Sequence, residues 1–521
     1  LWQGLLTEAP VLFCNIIQTV LIVCMKFIGP VIFSISLFFS SNSFAQYSFD
    51  FSPDCRQAYN EIMQLQIGKG YRYLENAEKN NPQNLIPVYL SSYIDFFTLF
   101  LNENPHEYAQ KKELFDERAA LMQKGNKNSP WYLYTQSVLY LQKAAVAIKF
   151  GETWTGGWAF RKSFLLVKEN QKKFPNFLPN QLIYGALEAA VGTIPKNYKW
   201  LASLLGMRGS VNEGMQKVSN FVYSNNEWAQ LMQIEGAFIY GYLNFYLENK
   251  KTETVNFLKS GRFDLVHNHL MAYMAANLGK NDKQTEFAKS VILNRSLASG
   301  YLETPVWHLE MGYNLLNHLQ YADAAREFNT FVQNFKGKFY VKDTYRRLSW
   351  CYFLMGNMPA AENARKQILK FGSTMADADK EAQKEAQNNK WPNAILLKAR
   401  LLDDGGYREE ALQMLNQVSI NSFSDIADQL EYTYRMGRIY DGLNNYNKAV
   451  EYYNQAYNMG KLRTEYYAAR AALQAGMIYE KNGAKKEAIR YYQLCLDLGE
   501  HDYKSSLDQR AKSGIARCTG Q

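Results

Sequence analysis

A spaced pattern of small and aromatic residues in the C-terminal half constrains this chain more than any other feature. Two copies have identical offsets: Gly437-x-x-Tyr440 … Ala449-x-x-x-Tyr453-x-x-Ala456 and Gly476-x-x-Tyr479 … Ala488-x-x-x-Tyr492-x-x-Cys495. On a helix, residues three or four apart share a face. A small residue in the first helix lets the second helix of the same unit pack close, and the aromatic residue fills the gap. Neither helix can bury its apolar face alone, so each unit needs neighbours. The spacing predicts a helix pair, and its recurrence predicts a stack of such pairs.

The frame extends upstream. Ala399, Leu402, Ala411, Leu415 and Val418 fit it, as do Gly312, Leu315, Ala324, Phe328 and Phe331. Ser349, Tyr352, Ala361 and Ile368 also fit, but Arg365 stands at the aromatic place. Ala272, Ala275, Ala288 and Val291 fit loosely, with Gln284 breaking the Ala position. Successive small residues are separated by 40, 37, 50, 38 and 39 residues. This pattern resembles the tetratricopeptide repeat (TPR), whose usual period is about 34 residues. The resemblance implies an all-α, right-handed superhelical solenoid of antiparallel helix pairs that holds other proteins. The longest step contains a polar run, Ser373 to Lys390, expected to be a solvated helix or loop.

At 521 residues the chain is too long for one compact core. A solenoid escapes that limit because each unit contacts its neighbours. Alternating β-branched runs are few, which argues against strands. The net charge of +9 is modest, and basic residues interleave with acidic ones. It falls short of the clustered basic stripe of a nucleic-acid binder, so no nucleic-acid partner is expected. No Cys/His cluster has metal spacing, and His267 and His269 point to different sides of a helix. No His-Glu-x-x-His, Gly-x-Ser-x-Gly or P-loop pattern occurs. The chain is therefore read as non-catalytic, with no metal or cofactor. Cys495 sits at a core position of the last repeat; Cys518 could reach it in an oxidising compartment.

Residues 1–45 read as a leader. Met25-Lys26 begins a short basic start, Phe27 to Phe39 is apolar, and Ser43-Phe44-Ala45 precedes Gln46 like a cleavage site. This resembles a secretory signal peptide with residues 1–24 upstream of the true start, and the Phe44-Ala45-Gln46 ending resembles exported proteins of Bacteroidetes-type bacteria. It implies a periplasmic protein, with peripheral outer-membrane association open to it. The competing reading is a membrane span from Val11 to Phe39. Residues 46–250 are expected to be degenerate helical repeats, and 251–521 the TPR-like array.

Within the N-terminal half, Asn84 to Leu101, Pro130 to Phe150 and Trp158 to Phe174 read as helices. Trp154 and Trp158 beside Gly156-Gly157 offer either a stacking platform for a sugar or peptide, or packing between two helices. The segment Tyr184-Gly185 … Ile194-Pro195-Lys196 … Leu205-Gly206-Met207-Arg208-Gly209 … Gly214 resembles the eukaryotic inclusion-body-clearance family of repeat proteins. It names no chemistry.

The TPR resemblance also implies a groove. It is lined by residues six and three before each small residue and one and four after it. In the unit of Gly312 these are Val306, Leu309, Tyr313 and Leu316; in that of Ser349, Asp343, Arg346, Trp350 and Phe353. Then follow Asn393, Leu396, Arg400 and Asp403, next Glu431, Tyr434, Arg438 and Asp441, and finally Arg470, Leu473, Met477 and Glu480. The resemblance thus implies partner-binding roles for Tyr313, Arg346, Trp350, Phe353, Asn393, Arg400, Tyr434, Arg438 and Arg470. An apolar end and an arginine end would suit a protein segment with acidic residues, since the guanidinium fork matches a carboxylate. The bland alternative makes Arg400–Asp403 and Arg438–Asp441 ion pairs on a wet face. The expected function is a non-catalytic, protein-binding scaffold of the cell envelope. The alternative is an accessory for carbohydrate or lipid handling that uses the aromatic N-terminal half.

Overall fold

Local capping chemistry starts many of the helices. Ser52 accepts a hydrogen bond from the Cys55 amide ahead of Pro53, Asn393 caps Ala394–Gly405, and Asp425 caps Ile426–Gly442. Each supplies an acceptor for an orphan amide of the first turn. The computed structural model describes residues 47–194, 199–388 and 390–519. The leader, and Pro195–Lys196 of the glycine-containing segment, lie outside the described residues.

The chain is all-helical, with consecutive helices paired. In the C-terminal array the pairs are His269–Asn281 with Thr285–Asn294, Val306–Asn317 with Tyr321–Asn334, and Val341–Leu354 with Met358–Lys370. They continue as Ala394–Gly405 with Arg408–Asn416, Ile426–Gly442 with Tyr446–Gly460, and Tyr467–Lys481 with Lys485–Leu496; Lys504–Thr519 covers the end. The only β pairing among the described residues is two isolated bridges, Tyr47 with Gly125 and Ser48 with Asn84. Among the same residues no helix is long and apolar enough to cross a membrane.

The small and aromatic residues of the repeat meet as their spacing predicts. A Cβ placed on Gly437 would lie 2.6 Å from the Tyr453 ring, one on Gly476 2.7 Å from Tyr492, and one on Gly312 2.6 Å from Phe328. Each glycine is the close-approach point of its helix pair. A second marker has the same period. The turn between the two helices holds a left-handed residue seven after the small one, at Leu319, Gly356, Gly406, Asn444 and Gly483.

That marker corrects the register of the loosest repeat. Its left-handed residue is Lys283, so the equivalent small residue is Ala276 and not Ala272. Ala288 then falls in frame, and the first step becomes 36 residues. Both alanines are buried one turn apart on the same helix, so periodicity alone does not separate them.

The long step is an inserted helix, Asp377–Gln387. It is not simply solvated: Asp379, Ala382 and Ala386 are buried. Arg365, the misfit at an aromatic place, has this as its reason. Its guanidinium donates to the Glu385 carbonyl at 2.7 Å and packs over Trp391.

In the N-terminal half, Pro53–Met63 pairs with Ile67–Asn80, Trp131–Lys149 with Thr153–Lys173, and Pro179–Gly192 with Val211–Val222. The glycines of the last pair are packing devices. A Cβ on Gly209 would lie 2.2 Å from the Glu188 carbonyl oxygen, and one on Gly214 2.5 Å from the Ala189 amide. One buried cluster runs from Phe51 to Leu401, and smaller clusters hold the C-terminal units. Cys495 and Cys518 are free thiols buried in the same small cluster.

Distant units also touch. Glu103, a left-handed residue that ends Ile86–Asn102, accepts from the Lys338 and Phe339 amides at 3.1 and 3.2 Å. The same carboxylate pairs with Lys149, both side chains being 1% exposed. Lys283 binds Asp403 at 2.8 Å, and Lys384 of the inserted helix binds Asp502 at 2.6 Å.

Candidate partner-binding groove

The first helices of the C-terminal pairs from His269–Asn281 to Ala394–Gly405 turn one face to a shared interior. A polar cavity of about 280 Å³ lies there, walled by Lys280, Lys283, Tyr313, Asp343, Arg347 and Asp404 among others. These side chains come from units far apart in sequence. Burial alone would raise the Asp404 carboxyl. Arg400, Lys283, Arg435 and Arg347 override it, holding the group below its usual value. Four cations from separate units thus act on one carboxylate.

At its upstream end this face is covered. Trp350 is 1% exposed and donates its indole N–H to Glu385 of the inserted helix at 2.6 Å. Arg346 is buried, bonded through Nε to Asp343 at 3.0 Å, with Glu385 at 3.6 Å. Tyr313 is buried and donates to Asp343 at 2.6 Å, and Lys280 lies over its ring. Asp343 is held well below the usual carboxylate range: burial opposes this, but Arg346, Arg347 and the Tyr313 hydroxyl prevail. Phe353 is half-buried and stacks on Trp391 at 5.0 Å between centroids. Asn393 is engaged as a helix cap, accepting from Ile395 N and Leu396 N.

Downstream the face is more open. Arg400 is partly exposed, lies 3.6 Å from Asp404, and sits over the Trp350 ring. Its pair is therefore with Asp404, whereas Asp403 binds Lys283. Arg438 is partly exposed and has no carboxylate within 4.0 Å among the described residues. Burial would lower its pKa, but Tyr434, Tyr453, Asp403 and Asp441 raise it, so the guanidinium stays charged. Asp441 instead accepts from Tyr453 at 3.0 Å. Arg470 lies over Tyr466. Tyr434 is buried among Tyr453, Tyr466 and Tyr467. The structure thus brings Arg346, Trp350 and Arg400 together, while Arg438 and Arg470 belong to the next units along. Arg347, Arg435, Lys283 and Asp404 lie beside the groove positions, and the repeat frame alone did not single them out.

The inserted helix is held by a carboxylate with an unusual load. Asp379 is buried and accepts from the Tyr340 and Asp343 amides at 2.7 and 2.9 Å. Burial pushes its carboxyl up to about 7, with the Asp343 charge adding to the rise and the two amides and Arg346 opposing it. A carboxyl whose folded pKa exceeds its ordinary 3.8 binds more protons folded than unfolded between those values. Its contribution to stability is full below 3.8 and is lost as pH rises to about 7. Protection of the Tyr340 and Asp343 amides, corrected for intrinsic exchange, should therefore fall between pH 5 and 8. Asp379→Asn should make it nearly independent of pH. An unchanged pH profile in that variant would locate the dependence in another group.

Trp158 is exposed with Arg161 over its ring, and Gly156 lies against Ile148 of the preceding helix. Close helix packing is thus seen at Gly156, whereas Trp158 stands outside it. Among the described residues no group of three or more His, Cys, Asp or Glu side chains is arranged to hold a metal ion.

The tetratricopeptide repeat family model matches residues 430–459 and 469–500. No curated protein matches the chain. Among solved structures, a human IFIT1 dimer with PPP-AAAA is 13% identical, covering 80% of this chain and 96% of that one, at a TM-score of 0.35. A chain of the APC/C hetero-tetramer Cut9–Hcn1 is 10% identical over 88% of this chain and 95% of its own, at 0.25. The P58(IPK) TPR domain is 13% identical over 80% and 93%, at 0.21. At such TM-scores these likenesses carry no weight for overall shape or activity. The two matched segments coincide with the pairs built on Gly437–Tyr453 and Gly476–Tyr492, so these two helix pairs are similar to tetratricopeptide repeats.

Proposed function

We propose that this protein is a non-catalytic scaffold that holds an acidic segment of a protein partner against the inner wall around Arg400, Arg438 and Arg470. The observation that carries this reading is Arg438. It is a charged, partly exposed guanidinium on the first helix of its pair, with no carboxylate in ion-pair range among the described residues. A buried or half-buried cation gains most from a partner that brings its own carboxylate, because charge-assisted hydrogen bonds are the strong ones. The covered upstream end, at Arg346 and Trp350, leaves the downstream arginines as the accessible part of the groove. The signal-peptide-like leader supports a periplasmic setting for this activity.

The test is a binding titration with acidic peptides and their Gln-substituted counterparts. Acidic peptides should bind the wild-type chain and the neutral ones should not. Hydrogen bonds to charged groups contribute about 1.5–3 kcal/mol, so replacing both Arg400 and Arg438 by Ala should weaken acidic-peptide binding roughly tenfold or more. Arg438→Ala alone is the cleaner variant, because Arg400 also packs on Trp350. Thermal unfolding of Arg438→Ala should be nearly unchanged. Equal binding of neutral peptides, or full binding by the double variant, would refute the reading.

A further inference from the structure

The short helix Lys199–Leu204 is buried on one side only. Ala202 is 2% exposed, and Met207 just beyond the helix is 1% exposed. Trp200 and Leu204 each stand two residues from Ala202, on the other side of the helix, and are 59% and 73% exposed. Trp158 of the helix Thr153–Lys173 is 46% exposed. Arg161 joins the two elements: its guanidinium lies over the Trp158 ring at 5.7 Å, and its Nε donates to the Leu205 carbonyl at 2.9 Å. Three large apolar side chains thus stand in solvent around one junction. Single exposed apolar residues are ordinary, whereas grouped ones mark a contact surface.

The charge at this junction is one-sided. Residues 153–173 and 199–208 hold seven Lys or Arg and one Glu, a net charge of +6 in a chain whose total is +9. Among the described residues Arg161, Lys168, Lys199 and Arg208 have no carboxylate in ion-pair range. The hydrogen bonds of the cations facing the short helix go to neutral groups: Lys168 donates to the Gly206 carbonyl at 3.3 Å, and Arg208 Nε to Ser203 Oγ at 3.2 Å. Glu169, the one acid, pairs with none of them. Trp and Leu beside Lys and Arg suit the boundary of an anionic bilayer, where apolar groups enter the headgroup layer and cations meet the phosphates. A single-stranded nucleic acid would stack its bases on the tryptophans, but it leaves Leu204, the most exposed of the three, without a role.

We propose that the junction of Thr153–Lys173 and Lys199–Leu204 docks on a bilayer that contains anionic phospholipid. Trp158, Trp200 and Leu204 enter the headgroup layer, and Arg161, Lys168, Lys199 and Arg208 meet the phosphates. The contact is peripheral, because Lys199–Leu204 has six residues and a span needs about 20. The surface is independent of the peptide groove, which is built from the C-terminal array.

Co-sedimentation of the full chain with vesicles tests the proposal. One set is phosphatidylcholine alone, the other equal parts phosphatidylcholine and phosphatidylglycerol. At about 0.1 M salt the anionic vesicles should bind roughly tenfold or more tightly than the neutral ones, and the difference should shrink at about 1 M, where exposed charges are screened. Trp200→Ser with Leu204→Ser removes the apolar contact, and Lys199→Glu with Arg208→Glu reverses the charge. All four residues are exposed, so thermal unfolding should stay unchanged. Each pair of substitutions should weaken binding to the anionic vesicles roughly tenfold or more. Equal binding to neutral vesicles, or unchanged binding in either variant, would overturn the proposal. Tighter binding of a single-stranded oligonucleotide than of the anionic vesicles, lost in the same variants, would overturn it in favour of a nucleic-acid site.

Discussion

Replacing Lys149 by Met is expected to lower the stability of the folded chain by about 3–5 kcal/mol, the range seen when one partner of a buried ion pair is removed. Lys149 and Glu103 are each 1% exposed. Burial pushes the Lys149 ammonium down from its ordinary pKa, and Glu103 opposes that shift. The same ammonium lies 4.2 Å from the centroid of Phe339. Without it, Glu103 stays buried with only the Lys338 and Phe339 amides to hold its charge. Because those amides are 235 and 236 residues away in sequence, the loss should loosen both segments together. Chemical denaturation gives the magnitude, and hydrogen exchange gives the location. Glu103→Gln in the Lys149→Met background should recover part of the loss, since it removes the stranded charge. A wild-type midpoint in Lys149→Met would mean that the pair contributes no net stability.

Truncating Tyr453 to Ala should cost a comparable amount, about 3–5 kcal/mol, as for other buried aromatic residues. Tyr453 is 1% exposed, fills the space left by Gly437, and donates its hydroxyl to Asp441. The cost combines lost burial with a cavity between Ile426–Gly442 and Tyr446–Gly460. Gly437→Ala tests the other side of the same contact. Its overpacking penalty of about 1–3 kcal/mol is offset by about 1 kcal/mol of helix propensity, so it should be the milder change. In a solenoid each unit leans on its neighbours, so hydrogen exchange in Tyr453→Ala should rise across residues 394–481 and leave 53–102 protected. Uniform loss of protection along the whole chain would show instead that the units unfold as one.

The glycine–aromatic spacing was legible because it encodes a local contact. Gly312–Phe328, Gly437–Tyr453 and Gly476–Tyr492 each join two helices separated by one short turn. The register of the repeat at Ala276 was less so. Ala272 and Ala276 are both buried on one helix, and only the left-handed turn at Lys283 distinguishes them. The inserted helix read as solvated because Asp, Lys and Glu dominate it. Its buried face is only Asp379, Ala382 and Ala386, too sparse to register as an apolar stripe.

By itself, the sequence determined the helical class and the helix pairs built on Gly312, Gly437 and Gly476, because their contacts join residues 16 apart across one short turn. Only the tertiary structure decided which parts of the inner face stay open. Asp377–Gln387 folds back over Arg346 and Trp350, while Arg438 keeps no carboxylate beside it among the described residues. It also decided that Glu103, Lys149 and Lys338 meet. These depend on how successive turns of the solenoid close on one another. That closure is set by summed small rotations between units and by contacts across hundreds of residues, for which no local spacing carries a signal.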